Sequence, residues 1–317
     1  IKQLFKDSFK NKKGEYLDEI SSKEINILFE HKLLKAFLPN ELNGLNYDIF
    51  QTLQLIEDAA YLNGSLGWLV QIGNGGNYFA SNFENKTVLN YFKGEDFVIA
   101  GSGTVTCKAI KKENGVFIEY GTWKYCSGSA YVSHFTLTFD LEGETVSAIV
   151  KKNDVNVIYD WNTIGMKNTS TNSIEVNQLF IPNENLFNVS IQKNHTTIPI
   201  FGLPFLIYAQ GFFIHVLYGI VKRMTEVSSD LKYLQSIEKM KVESNQIIDI
   251  CLKKKTLSEE EGLKFQSLYK FQAEKLQTIA TTIFKKNGMA SVYKENIIGT
   301  FYMDLITVCQ HKLLQQV

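Results

Sequence analysis

Up to about residue 95 the apolar positions of this chain recur at helical spacing. Ile25, Leu28, Phe29 and Leu33 follow Ser21 and Glu24, which predicts an amphipathic helix opening beside Ser21. Pro39 and Gly44 interrupt the pattern. It resumes over residues 47–62, with Phe50, Leu53, Ile56 and Ala60 on one face, and stops at Asn63-Gly64. Residues 65–79 are apolar and glycine-rich, which predicts a helix in tight contact with its neighbours. From residue 97 to 182 the period becomes two. Val116, Ile118 and Tyr120, then Phe135, Leu137 and Phe139, alternate with polar neighbours as half-buried antiparallel strands require, and turns are expected at Asn114-Gly115, Gly121 and Glu142-Gly143. Past His195 the helical period returns over 205–228, 231–253, 258–286 and 297–314, the third opening on the capping box Ser258 to Glu261. Long helices with short connections predict an antiparallel bundle.

The pattern gives an α+β chain in three parts: a helical domain over 1–95, a β-barrel or sandwich over 96–190 and a helix bundle over 191–317. Composition narrows the function classes. Thirty-three basic residues balance thirty-three acidic ones, so no net field draws the protein to nucleic acid or to an anionic membrane. The four cysteines are scattered and form no CxxC pair, which fits a reducing, cytoplasmic setting without a zinc site, and no two histidines stand at a metal spacing. The longest apolar run, 201–221, contains Pro204, Gln210 and His215 and reads as a core helix rather than a membrane span. Glycosylation triplets such as Asn63-Gly64-Ser65 and Asn194-His195-Thr196 arise by chance in an Asn-rich chain. With Ile1 rather than Met at its head, the chain is expected to begin a few residues inside its natural start.

Four patches carry a likeness to a known family, in the family's order. Leu34-x-x-Phe37-Leu38-Pro39 with Gly44, then Ala59-Ala60 and Gly64-Ser65-x-x-Trp68, are similar to the first helices of the acyl-CoA dehydrogenase superfamily and the turn between them. Gly121-Thr122-Trp123-Lys124-Tyr125-Cys126-Ser127-Gly128 resembles its flavin-placing strand. Ile164-Gly165-Met166-Lys167-Asn168-Thr169-Ser170-Thr171 resembles the Gly-Met-Arg-x-Thr-x-Ser motif, followed by Ile181-Pro182 at the end of the next strand. Asp304-Leu305 and Gln310-His311 resemble a late Arg-Asp and Gln-His signature. The dehydrogenase motifs themselves are not intact. Ala100-Gly101-Ser102-Gly103-Thr104-Val105 stands where Thr-Glu-Pro-x-x-Gly-Ser-Asp would, and Lys286-Asn287-Gly288-Met289-Ala290 where Gly-Gly-x-Gly-Tyr would. The Trp-x-x-x-Ser-Gly strand and the terminal Gln-His resemble the two-component flavin monooxygenases, the branch containing hydroxyphenylacetate hydroxylase and dibenzothiophene monooxygenase.

That resemblance implies an oxygenase that receives reduced FMN or FAD from a separate reductase and hydroxylates a small aromatic or apolar substrate through a C4a-hydroperoxide, in a homotetramer. It implies Ser127 and His311 as catalytic groups. Trp123, Tyr125, Cys126, Ser127, Gly128, Lys167, Thr169 and Ser170 would bind the cofactor, and Trp68 would line the substrate pocket. A hydroxyl on a rigid strand can hold a flavin adduct in a dry site, and a histidine of near-neutral pKa suits proton transfer. Each also has a plainer reading: Ser127 as a turn serine, Thr169 and Ser170 as a solvated loop, His311 as a surface residue at a helix end, Trp68 and Trp123 as core aromatics. Lys167 replaces an arginine of the motif, and Thr300 and Met303 stand where relatives carry arginines. Two alternatives remain: a dehydrogenase or oxidase of the same fold, with Glu226, Asp230, Glu238 or Glu243 as base, and a non-catalytic member of the fold.

Overall fold

A computed structural model describes residues 20–193, 198–254 and 256–315; the Asn194-His195-Thr196 triplet lies outside the described residues. Among the described residues four helices come first: α1 (Ser22–Glu30), α2 (Ile49–Leu62), α3 (Gly64–Asn77) and α4 (Asn85–Tyr91). Their starts are fixed by side chains that satisfy otherwise unpaired N–H groups. Ser21 with Glu24 and Asp48 with Gln51 make reciprocal capping boxes, and Asn63 caps α3 through Leu66 N–H. On α2, Leu53, Ile56 and Ala60 are buried as expected, whereas Phe50 stays exposed in the first turn.

Eight strands follow among the described residues, in two four-stranded sheets. One has the order β1 (Ile99–Gly101), β4 (His134–Leu141), β5 (Glu144–Lys151), β8 (Leu186–Phe187); the other runs β2 (Ile110–Lys112), β3 (Gly115–Cys126), β7 (Asn172–Pro182), β6 (Asn156–Ile158). Neighbours are antiparallel except β1 and β4. Phe135, Leu137 and Phe139 of β4 are wholly buried, and Trp123 of β3 donates from Nε1 to the Thr138 carbonyl at 2.8 Å, which joins the two sheets face to face. Two expectations fail here for one local reason. Gly121 makes no turn: it lies inside β3, and a Cβ there would sit 2.5 Å from the Trp123 ring, so the missing side chain is what admits the indole. Tyr120, expected inward with Val116 and Ile118, is 57% exposed and bonds Glu175, because the inward set of β3 changes parity to Gly121 and Trp123 beside Gln178, whose φ of 54° breaks the regular pleat of β7.

The remaining helices are α5 (Phe205–Val227), α6 (Leu234–Lys253), α7 (Glu259–Lys286), opened by the Ser258/Glu261 capping box, and α8 (Ile297–Val308). α5 is long and apolar enough to cross a membrane, but 83% of its most apolar stretch is buried inside the protein, which makes it the core helix. α5, α6 and α7 share a buried polar triangle of Tyr218, Ser244 and Gln272, each pair between 2.6 and 2.9 Å apart. α2 lies between α3 and α5 at Ala60. A Cβ on Gly67 would fall 2.3 Å from the Ala60 methyl, and one on Gly219 2.7 Å from it and 2.4 Å from the Glu57 carbonyl oxygen.

That close approach is testable. Gly219→Ala gains helix propensity but overpacks a backbone contact, and is expected to lower unfolding stability by about 1–3 kcal/mol in urea denaturation; an unchanged midpoint would contradict the packing described.

Candidate active site

The end of β3 is bent toward the helices. The pairing of β3 with β7 shifts register between Trp123 and Cys126, Tyr125 takes φ 68° and Gly128 φ 81°, so the chain turns and aims Ser127 at α3. Opposite, Met166 (φ 55°) and Ser170 (φ 47°) bracket the short turn 167–169. Three non-glycine residues in the left-handed region around one loop pair is the kind of stored strain that accompanies functional sites. The two loops are stitched together: Gly128 N–H donates to the Thr169 carbonyl (2.8 Å), Ser129 N–H to the Ser170 carbonyl (3.1 Å) and Asn172 Nδ2 to Ser129 Oγ (2.9 Å).

Ser127 is 4% exposed. Its Oγ accepts from Trp68 Nε1 at 2.9 Å and lies 2.9 Å from Thr171 Oγ1, which is 2.6 Å from Thr169 Oγ1; Thr169 Oγ1 in turn donates to the Met166 carbonyl. Trp68, on α3, stacks on Phe213 of α5 with ring centroids 5.1 Å apart and 13° between planes. His311, just past α8, faces the same pair, 4.4 Å from the Phe213 centroid and 6.2 Å from that of Trp68. Two residues singled out from sequence, Trp68 and His311, therefore meet on Phe213, with Ser127 joined to them through the Trp68 indole N–H; the sequence did not mark Phe213 because it is one more apolar residue of a core helix.

His311 differs from its expected state. Burial pushes its pKa down to about 4, so it is neutral at pH 7, and Nδ1 accepts the Leu313 N–H at 3.3 Å, which leaves the ring hydrogen on Nε2. It is therefore an uncharged hydrogen-bond donor rather than a base titrating near neutrality.

Residues 169 to 172 form a wall with two faces. Thr169 and Thr171 point inward to Ser127, while Ser170 and Asn172 line an outer groove of 560 Å³ with Tyr131, Tyr159, Trp161 and Lys167. Tyr125, 69% exposed, meets Trp161 edge-on at 6.5 Å. Two residues expected at the cofactor keep their side chains inside the protein. Trp123 is 0% exposed between the sheets, and Cys126 is equally buried, with Sγ 3.6 Å from the Trp123 carbonyl and its pKa pushed by burial to about 12; neither side chain reaches the groove or the Ser127 cluster. Thr169 is also wholly buried, with its hydroxyl held inside the protein.

The carboxylates considered as dehydrogenase bases are held elsewhere. Glu226 accepts from Tyr61, Asp230 pairs with Lys286, Glu238 with Lys222 at 3.5 Å, and Glu243 accepts from Gln272 at 3.4 Å. His134 and His215 sit as hydrogen-bonded residues, the first on Ser133 Oγ and among the Tyr91 and Phe97 rings, the second on the Gly211 carbonyl. At the former arginine positions, Thr300 bonds back to the Asn296 carbonyl and the Met303 carbonyl packs against Gly165, where a Cβ would come within 2.0 Å.

Asp304 has a role the sequence did not disclose. It is buried on α8, accepts the Met166 N–H, and lies against Gly64 at the start of α3, where a Cβ would come 2.5 Å from its Oδ2. Burial raises its pKa to about 7. The folded carboxyl thus keeps a proton that the unfolded chain, titrating near 3.8, releases. Its contribution to stability is full below pH 3.8 and is lost as pH rises toward 7. Asp304→Asn is expected to remove that dependence: the stability difference between wild type and variant should decline from pH 4 to pH 7 and then level, as read by denaturant unfolding at each pH, whereas a difference constant across that window would contradict the protonated carboxyl.

No family model matches the sequence. The chain is 25% identical over 178 residues to an indole-3-acetate monooxygenase of Acinetobacter baumannii, covering 54% of this chain and 45% of that protein. It is 21% identical over 202 residues to the flavin-dependent monooxygenase oxygenase subunit HsaA of Rhodococcus jostii, covering 60% and 53%. The match thus spans about half the length of these curated relatives. Among solved structures, XiaF from Streptomyces in complex with FADH2 and glycerol superposes with a TM-score of 0.79 at 16% identity, over 99% of this chain and 89% of that one. Dibenzothiophene monooxygenase TdsC from Paenibacillus, with FMN and indole, gives 0.75 at 14% identity over 99% and 92%. The chain has the acyl-CoA dehydrogenase-like fold of these monooxygenases, and the relatives it matches in sequence are themselves monooxygenases.

Proposed function

We propose that the chain is the oxygenase component of a two-component flavin-dependent monooxygenase, acting in the cytoplasm as a homotetramer on a small aromatic or apolar substrate with reduced FMN or FAD supplied by a separate reductase. The observation that carries this reading is the hydrogen bond of Ser127 to the Trp68 indole, with Trp68 and His311 both packed on Phe213, on a fold shared with monooxygenases solved with flavin. The division at residues 1–95, 96–190 and 191–317 belongs to the same reading, the site forming where the three parts converge.

The residues present fit a flavin. Ser127 Oγ accepts from Trp68 with one lone pair and turns its hydrogen to Thr171, which leaves its second lone pair for one ring contact, and the outer groove combines aromatic faces with the cation of Lys167. Ser127 would meet the edge of the ring, while Lys167, Ser170 and Tyr125 would hold the phosphate-bearing portion at the groove. Bound reduced flavin supplies the two electrons that activate O2. The protein's own part is exclusion of water and placement of hydrogen bonds: Trp68 and Phe213 make the cluster apolar, and His311 offers an Nε2–H without importing a charge that burial would penalise. The indole-3-acetate and dibenzothiophene acted on by the similar proteins support a flat aromatic substrate, which Trp68 would line.

Anaerobic titration tests the reading: reduced FMN or FAD is expected to bind saturably, with a dissociation constant on the order of micromolar, and absence of binding by both up to millimolar concentration would overturn it. His311→Ala is expected to lower product formation about 100-fold while leaving reduced-flavin affinity unchanged, and undiminished turnover would remove His311 from the chemistry.

A further inference from the structure

The hydrogen bonds at Ser127 have a fixed direction. At one end, the Trp68 indole N–H can only donate, so Ser127 Oγ accepts from it at 2.9 Å. At the other end, the Met166 carbonyl can only accept; it receives Thr169 Oγ1 at 2.8 Å and also Trp161 Nε1 at 2.8 Å. Between these ends stand the Ser127, Thr171 and Thr169 hydroxyls, each with one hydrogen, separated by 2.9 and 2.6 Å. With Thr169 donating to the carbonyl, Thr171 donates to Thr169, and Ser127 donates to Thr171. The reverse polarity would leave the Ser127 hydrogen without an acceptor in a residue only 4% exposed, at the cost of an unmade buried hydrogen bond.

We infer that Thr171 is a positioning residue that holds the Ser127 hydroxyl hydrogen, backed by Thr169 and the Met166 carbonyl, so that Ser127 meets a bound ring only as a hydrogen-bond acceptor and thereby favours the reduced cofactor. This rests on the flavin reading above and adds the selection of redox state to it. Flavin N5 carries a hydrogen when the ring is reduced and presents a bare lone pair when it is oxidised. An acceptor-only hydroxyl pairs with the first and faces the second lone pair to lone pair. A hydroxyl free to rotate would serve both, which is the ordinary behaviour of serine. Thr171 therefore acts through Ser127, and its methyl group, shared with valine, fills the same space whether or not the hydroxyl is present.

The test compares dissociation constants of reduced FMN, titrated anaerobically, and oxidised FMN in wild type, Thr171→Val and Thr171→Ser. Wild type is expected to prefer the reduced form. Thr171→Val frees the Ser127 hydrogen and should bring the oxidised-to-reduced ratio down by about tenfold, the worth of one hydrogen bond, mainly by tightening oxidised FMN; Thr171→Ser should keep the wild-type ratio. A ratio unchanged in Thr171→Val, or lost equally in Thr171→Ser, would overturn the role of Thr171 while leaving the flavin reading intact. Absence of binding of either redox form by wild type would overturn both.

Discussion

The Asp304 carboxyl, buried on α8 and bonded to the Met166 N–H, is the contact on which the rest of the site depends. It fixes the loop that must hold Met166 in a left-handed conformation, and Met166 presents the carbonyl at which the Thr169, Thr171 and Ser127 hydroxyls terminate. Gly165 and Gly64 permit the approach, because a Cβ at either would collide with α8. The sheet, the first helical layer and the last helix are thereby locked to one another at a single polar junction, and the direction of the Ser127 hydroxyl becomes a consequence of the fold. A buried carboxyl with one donor is costly when ionised, which is why this one holds its proton so far above the usual carboxylate range.

The chemistry such a junction permits is one of placed dipoles in an apolar setting. Ser127, the Trp68 indole and neutral His311 carry no formal charge, and the aromatic faces of Trp68 and Phe213 exclude water around them. Hydrogen bonds in such surroundings are worth more than in water, and a neutral imidazole donates without demanding a counter-ion. The carboxylates Glu226, Asp230, Glu238 and Glu243, each tied to a tyrosine, lysine or glutamine partner, supply nothing comparable to a base at this point.

Much of this was legible in sequence where a local rule governs. The switch from helical to alternating spacing located the sheets, and Ser258 with Glu261 marked a helix start that the structure shows bonded as expected. Trp68, Ser127 and His311 were found by motif, three positions far apart in the chain that the fold brings together. What escaped was tertiary. Nothing in the alternation of β3 announces that Gly121 makes room for Trp123 or that a left-handed Gln178 sends Tyr120 outward. The motif alone could not tell that the side chains of Trp123 and Cys126 are wholly buried. Thr171 stood in a Thr-Ser-Thr run whose alternation sends every second side chain inward, a signal that becomes readable only once the wall has two known faces. Phe213 gave no signal of role, because it is typical of any core helix, and Asp304 was marked only as part of the late signature, since its contact with a loop 138 positions away is tertiary.

The most direct measurement is a crystal structure of the protein after anaerobic diffusion of reduced FMN. The expected result is a ring whose N5 edge lies within roughly 3 Å of Ser127 Oγ, with the Thr171 hydroxyl still bonded to Ser127. A ring seated wholly in the outer groove, with Ser127 still bonded only to Trp68 and Thr171, would contradict the placement of the chemistry at Ser127.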